Sequence, residues 1–299
     1  MSTPKFMQKM TANIMAYMMY KPFGPVRPSK KTVMDRTMKD TGFDLAGFNS
    51  WEKEDFDLKN EDIVIPASYY PIPNAKGVVI LAHGYGQNRY VLIPQAEIFR
   101  ELGYSVIMFD QRHFGASKAS NGTFSVREAS DLIALVNWAK QKCGNDTGIV
   151  TLGVSMGAMT VMNAISQTKL IDAAIEDCGP SRLEIIFETF FKVMMGEVNP
   201  YFEDAVKKQA KKYGITVEET CPIESVRKSD VPLLVIHSEG DRTVPVSCAP
   251  EILAASKNHK SRMQLFDKKY DHAFSVNERG LYKSALETFL NDVFEEDTK

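Results

Sequence analysis

The chemistry open to this chain gathers first at Ser155. It sits in Gly153-Val154-Ser155-Met156-Gly157, a G-x-S-x-G pattern, with the apolar, β-branched run Gly148 to Leu152 before it and the helix-forming run Ala158 to Ile165 after it. Strand before and helix after is the context that lifts a serine above a sheet edge on a sharp turn. It separates that arrangement from a buried serine in an ordinary strand-to-helix connection. Such a turn is strained, at about 1–3 kcal/mol per unusual backbone position. Gly153 and Gly157 lack a Cβ and let neighbouring backbone approach on both sides. A serine hydroxyl is a weak nucleophile unless a base lies within hydrogen-bond reach and a third group orients that base. The pattern therefore asks for a histidine and a carboxylate elsewhere in the chain.

Five histidines are available: His83, His113, His237, His259 and His272. His272 follows the last strand-like run, Arg262 to Phe266, at the carboxyl edge of the expected sheet, where ligands bind in open α/β folds. It is the expected base, taking the serine proton and returning one to the leaving group. His237 ends a strand and reads as buried. His259, in a charged run, reads as solvated. Asp241 lies a few residues past the strand Leu233 to His237 and is the expected acid, holding the imidazole tautomer and stabilising the imidazolium. Asp177, at the end of an earlier strand, is its rival, whereas Asp271 is too near the histidine in the chain to face its ring nitrogen. Two backbone N–H groups are expected to form an oxyanion hole, that of Met156 after the nucleophile and that of Tyr85 in His83-Gly84-Tyr85-Gly86. That glycine loop lacks G-x-G-x-x-G and a P-loop lysine, which argues against phosphate cradling. Asn88 is expected to cap the next helix. Arg89 is expected to be a solvated charge, with contact to an anionic substrate as the alternative. Cys178 lies near the pocket by topology but has no histidine of its own. No metal-ligand cluster and no cofactor motif is legible.

The elements that must position these residues follow an α/β rhythm. Phe56 to Ile65 reads as two strands joined around Lys59-Asn60-Glu61. Val78 to Ala82, Ser105 to Phe109, the run before Ser155, Ala173 to Asp177 and Leu233 to His237 read as buried parallel strands. Helices are expected between them: about Val91 to Leu102, then Ser125 to Lys142 with Ser125 and Glu128 as a capping box, then the helix after Ser155, then Ser247 to Ser256, and finally Gly280 to Phe294. Alternation at this spacing means right-handed βαβ units and a mostly parallel sheet covered on both faces. The rhythm stops between residues 181 and 230, read as a helical cap inserted after the sixth strand. Residues 1–50 read as an N-terminal helical extension, leaving 51–180 and 231–299 as the core. In the extension, Met7, Met10, Ile14 and Met18 recur at helical spacing. This apolar face is expected to pack on the main domain; a pocket wall or a membrane-surface contact is the sharper alternative.

Composition narrows the classes. The chain has 299 residues, a formal net charge of −2 and no Arg-rich run, so nucleic acid is not an expected partner. Cys143, Cys178, Cys221 and Cys248 lie far apart with no C-x-x-C pair, which fits reduced thiols and a cytoplasmic location. The apolar stretch Ile14 to Tyr20 falls well short of the ~20 residues of a membrane span. No cleavage motif follows it, so it is read as retained.

The motifs His83-Gly84-Tyr85-Gly86, Asp110-Gln111-Arg112-His113-Phe114-Gly115-Ala116-Ser117, the Ser155 turn, Gly240-Asp241-Arg242-Thr243-Val244-Pro245 and Tyr270-Asp271-His272-Ala273-Phe274 occur in serine–acid–histidine order. From about Trp51 onward the chain resembles an α/β-hydrolase-fold serine hydrolase, bacterial esterase-like and related to the prolyl oligopeptidase group. The resemblance implies a structural role for His83 and a triad of Ser155, Asp241 and His272. It implies hydrolysis of carboxylic esters through an acyl-enzyme, with a small-molecule ester as substrate. A peptidase or thioesterase of the same fold is the alternative, for which Lys207 to Lys212 would be a basic rim. A ligand-binding protein that kept the fold is the alternative from another class. Phe187, Phe190 and Met194, with Phe191 and Met195, are candidates for the wall of an apolar substrate pocket or for cap core.

Overall fold

The computed structural model describes residues 4–20, 28–61, 63–118, 121–186, 188–189 and 199–295. Its strands are β1 (Glu54–Asn60), β2 (Ile63–Tyr70), β3 (Gly77–Ala82), β4 (Tyr104–Phe109), β5 (Ile149–Val154), β6 (Ala173–Asp177), β7 (Leu233–Ser238) and β8 (Arg262–Phe266). Its helices are α1 (Lys5–Tyr20), α2 (Lys30–Thr41), α3 (Ile93–Glu101), α4 (Val126–Cys143), α5 (Met156–Ala164), α6 (Phe202–Lys212), α7 (Pro222–Lys228), α8 (Cys248–Ala255) and α9 (Arg279–Phe294). The strands form one sheet in the order β1-β2-β4-β3-β5-β6-β7-β8. The β1–β2 and β2–β4 pairs are antiparallel and the rest parallel.

Every position of β3 to β7 is buried, as continuous apolar runs require when helices cover both faces. Successive side chains of β3 part company. Val78, Ile80 and Ala82 join one core with Leu132, Val161, Val226 and Ile252 of α4, α5, α7 and α8. Val79 and Leu81 join the other with Phe99 of α3 and Leu286 and Phe289 of α9. Each buried aliphatic or aromatic side chain contributes about 1.5–3 kcal/mol, so the two layers fix the sheet, and its register fixes the rim. Ala82 pairs with Gly153 and Val154 with Asp177, which brings the loops after β3, β5 and β6 to one edge.

A third apolar cluster lies above that edge. It joins Ala12, Ala16 and Tyr20 of α1 to Phe202, Ala205, Val206 and Ala210 of α6, with Phe124 and Leu183. The alanines let the two helices approach closely, so the small face of α1 is the one that packs. The expected packing face, Met7, Met10, Ile14 and Met18, is turned outward instead. Of that face Met18 alone lines the cavity over Ser155, together with Met15 from outside it.

The capping box at Ser125 does not form. Ser125 sits at φ 82°, left-handed, with its hydroxyl accepting from Asn163 Nδ2 at 2.7 Å. Thr123 takes its place: its hydroxyl accepts from the Arg127 N–H at 2.9 Å and donates to Glu128 at 2.6 Å. Among the described residues, no helix is long and apolar enough to cross a membrane.

Candidate active site

Five loops at the carboxyl ends of the strands supply the site. Ser155 follows β5 and opens α5 at φ 58°, ψ −116°. Its N–H donates to the Asp177 carbonyl at 2.8 Å, which ties the turn to the neighbouring strand. The turn is possible because Gly157 presses on β3, where a Cβ would lie 2.0 Å from the Ala82 carbonyl oxygen. Asp241 follows β7. Gly240 before it is equally confined, a Cβ there meeting the Lys268 carbonyl oxygen at 2.0 Å. His272 follows β8.

The structure brings these three residues together. His272 Nε2 lies 2.8 Å from Ser155 Oγ, and His272 Nδ1 lies 2.7 Å from Asp241 Oδ2. Burial alone would raise the Asp241 carboxyl. The rings of His237 and His272 beside it outweigh burial and hold it well below the usual carboxylate range. An ionised carboxylate only accepts, so Nδ1 carries the proton, and Nε2 is left as an acceptor for the Ser155 O–H. The other Asp241 oxygen accepts from the N–H groups of Thr243 and Val244, both at 2.8 Å.

The rival acid is placed elsewhere. Asp177 is fully buried and accepts from Tyr282 Oη at 2.9 Å and Ser275 Oγ at 3.4 Å. Burial pushes it up to about 6 against those donors and the nearby His237 and His272. Asp271 clamps the loops instead. It accepts from the His272 N–H at 2.8 Å, the Arg242 N–H at 3.0 Å and Arg242 Nε at 2.7 Å.

Beneath the site lies a histidine whose position the sequence reading missed. His237 is buried as expected, with Nε2 donating to the Val244 carbonyl at 3.0 Å and 3.4 Å from Asp241 Oδ2. Burial would lower it, but Asp241 and Glu176 raise it above the ordinary value. Glu176 is also fully buried and is pushed up to about 8 by burial, opposed by His237 and the Gly179 N–H. His237 Nδ1 and Glu176 Oε1 have no hydrogen-bond partner among the described residues.

Cys178 comes closer than its topology promised, with Sγ 4.0 Å from His272 Nε2. Burial, then the charges of Asp177, Asp241 and Glu176, push its thiol well above the ordinary value, which disfavours the thiolate that attacks or ligates. The ligand atoms of Cys178, Asp241 and His272 lie within 4.8 Å of one another, a cluster not legible in the sequence. Ligation through either ring nitrogen of His272 would displace its bond to Ser155 or to Asp241.

The loop after β3 supports the nucleophile turn. Gly84 lies against Ser155, so a Cβ there would sit 3.5 Å from Ser155 Cβ. His83 donates from Nδ1 to the Gly84 carbonyl at 2.8 Å and accepts at Nε2 from the Gln111 N–H at 3.0 Å. Both nitrogens are spent on structure. Tyr85 is in the same loop, and Met156 is the first residue of α5, where helical N–H groups have no intrahelical acceptor. Asn88 caps the following 3-10 turn, its Oδ1 accepting from the Tyr90 N–H at 3.1 Å. Arg89 is neither solvated nor presented to substrate. It is buried, with its N–H 2.9 Å and its Nη1 3.3 Å from the Asp110 carboxylate, because Asp110 ends β4 inside the rim and needs a cation.

A cavity of about 710 Å³ opens over Ser155 and His272. Its walls include Met15 and Met18 of α1, Val33 of α2, Val91, Phe124 and Phe202. Phe187, Phe190 and Met194, and Phe191 and Met195 with them, lie outside the described residues. Lys207, Lys208, Lys211 and Lys212 form an exposed face of α6.

Residues 77–200 match the family model described as alpha/beta hydrolase fold. The chain is 25% identical over 280 residues to the uncharacterized protein YqkD of Bacillus subtilis, covering 88% of each chain. In three dimensions it is similar to the esterase Pf2001 of Pyrococcus furiosus, with TM-score 0.68 and 22% identity over 84% of this chain and 96% of that one. It is also similar to the acylaminoacyl peptidase of Pyrococcus horikoshii, with TM-score 0.60 and 18% identity over 83% of this chain and 43% of that one. The sheet order, the family match and these structural likenesses agree: the chain has the α/β-hydrolase fold.

Proposed function

We propose that this protein is a serine hydrolase that cleaves carboxylic esters with an apolar acyl or alkyl part through an acyl-enzyme. The observation that carries the reading is the unbroken hydrogen-bonded line from Ser155 Oγ through His272 to Asp241 at the floor of an apolar cavity. Ser155 Oγ attacks the ester carbonyl carbon as His272 Nε2 takes its proton. Asp241 stabilises the imidazolium so formed. The N–H groups of Tyr85 and Met156 hold the developing oxyanion, and losing one such donor typically costs about 10²–10³ in turnover. Collapse of the tetrahedral intermediate expels the alcohol, which leaves with the proton from His272. Water then repeats the sequence on the acyl-enzyme and releases the acid.

The cavity volume of 710 Å³ falls inside the ~300–1,000 Å³ of small-molecule sites. Its apolar walls favour an ester over a substrate carrying a free amine or coenzyme A. In this reading α1 and α6 form the roof of the pocket, and residues 181–230 contribute the cap. The test is a hydrolysis screen over p-nitrophenyl esters of graded chain length, acyl thioesters and aminoacyl amides, run beside Ser155→Ala. Esters are expected to be cleaved fastest and the variant to be inactive. Faster turnover of the amides or thioesters would overturn the ester assignment.

A further inference from the structure

Helix α1 has two apolar stripes, and the fold uses one of them. Ala12, Ala16 and Tyr20 are buried against α6 and Phe124. On the opposite face Phe6 is 76% exposed, and Met7, Met10, Ile14 and Met18 are between 40% and 48% exposed. At 100° per residue these five side chains fall within one third of the helix circumference. A row of large apolar side chains facing water is costly to maintain and marks a contact surface. The face is continuous with the pocket: Met18 belongs to the stripe and lines the cavity over Ser155. The Met18 carbonyl also accepts from Tyr85 Oη at 3.4 Å, which ties the end of the helix to the loop beside the nucleophile.

We propose that this face of α1 docks on an anionic lipid bilayer and sets the mouth of the cavity at the lipid surface. The charge around it selects that occupant. Helix α1 carries Lys5 and Lys9 and no acidic residue, and α6 beside it carries Lys207, Lys208, Lys211 and Lys212 against Glu203 and Asp204. This is a local cationic excess on a chain whose net charge is −2. Lysines lie along the α1–α6 pair: Lys212 Nζ is 5.7 Å from the ring centroid of Tyr17 on α1, and Lys9 Nζ is 5.1 Å from that of Tyr201, the residue before α6. An exposed apolar helix face, with lysines on the other faces of the same helix and on its neighbour, is the composition of a helix lying in a membrane interface, the apolar side dipping below the headgroups and the ammonium groups meeting lipid phosphates. A second copy of the chain would meet the same lysines and be repelled. The docking step stands without any assumption about the bond cleaved. The consequence that apolar esters enter the cavity from the bilayer rests on the hydrolase reading above.

The experiment is co-sedimentation of the full-length protein with vesicles of equal POPC and POPG, without any activity assay. Met10→Glu/Ile14→Glu changes exposed residues that do not line the cavity, and an unchanged thermal unfolding temperature confirms that it folds. Wild type is expected to bind. Its apparent affinity is expected to be several-fold weaker for pure POPC, and at least tenfold weaker in the double variant. Failure of wild type to sediment, or equal sedimentation of the double variant, overturns the proposal. Equal binding to pure POPC overturns the anionic assignment. A wild-type dimer that the double variant dissociates, with no vesicle binding, assigns the face to a second copy instead.

Discussion

The floor and the roof of this site are built in opposite ways. The floor is a row of loops at the ends of parallel strands, each placed by its own strand's register and close to a local motif. The roof joins α1 to α6, and Asn199 Nδ2 donates to the Gln8 carbonyl at 2.9 Å across 191 residues of chain. On the floor, Asp241 and His272 are held by several bonds at once. The roof is apolar packing of Ala12, Ala16 and Tyr20 against α6, with methionines of α1 left facing water and cavity. The contrast separates chemistry from selection: floor changes should act on turnover, roof changes on which substrate is turned over.

The sharpest break of that division is within the floor. Asp241→Asn should lower kcat by about 10⁴ by losing the correct imidazole tautomer. Asp177→Asn, which loses only Tyr282 and Ser275 as partners, should leave kcat within about tenfold of wild type. Comparable losses in the two variants would place Asp177 in the relay. At the roof, Met15→Ala or Phe202→Ala should move the preferred chain length in a p-nitrophenyl ester series. A shift of kcat/KM ratios by about tenfold is expected, since one methylene in an apolar pocket is worth that much. An unchanged ratio with a lower kcat would make the roof part of the chemistry.

The smallest effect concerns stability. Glu176 is held at about 8 in the fold against 4.5 for an ordinary glutamate. Across that window the native chain keeps a proton that the unfolded chain has released, so this group makes stability fall as pH rises. Asp131 and Asp177 add the same sign only up to their own values of about 6. His237, raised as well, adds its loss above 6.5. Thermal unfolding of wild type and Glu176→Gln from pH 6.5 to 8 should show a shallower fall in the variant and a higher Tm at pH 8. Parallel slopes would show that Glu176 does not hold the proton.

The floor could be read from sequence because its determinants are local. The β-branched run before Ser155 and the two glycines around it dictate a strand, a turn and a helix, and the apolar run 78–82 dictates a buried strand. His272 and Asp241 are legible through the order of their motifs, but outside those motifs a residue whose role depends on a distant partner is misread or left unread. Ser125 has a capping residue's type but a left-handed backbone, and Thr123 does its work. Arg89 reads as solvated until Asp110, 21 residues on, is seen beneath it. His237 reads as an ordinary buried histidine because its contact with Asp241 exists only once the loop after β7 folds back. The methionine stripe of α1 follows the periodicity rule, but Ala205 and Ala210 of α6 select the small face for packing. A helical wheel does not contain that choice.

The central claim is that Ser155 is activated by His272. It is tested most directly by treating the folded protein with a fluorophosphonate and mapping the adduct by mass spectrometry. A single adduct on the Ser155 peptide is predicted for wild type, lost in Ser155→Ala and at least a hundredfold slower to form in His272→Ala. An adduct on another residue, no adduct on folded protein, or undiminished labelling of His272→Ala would contradict it.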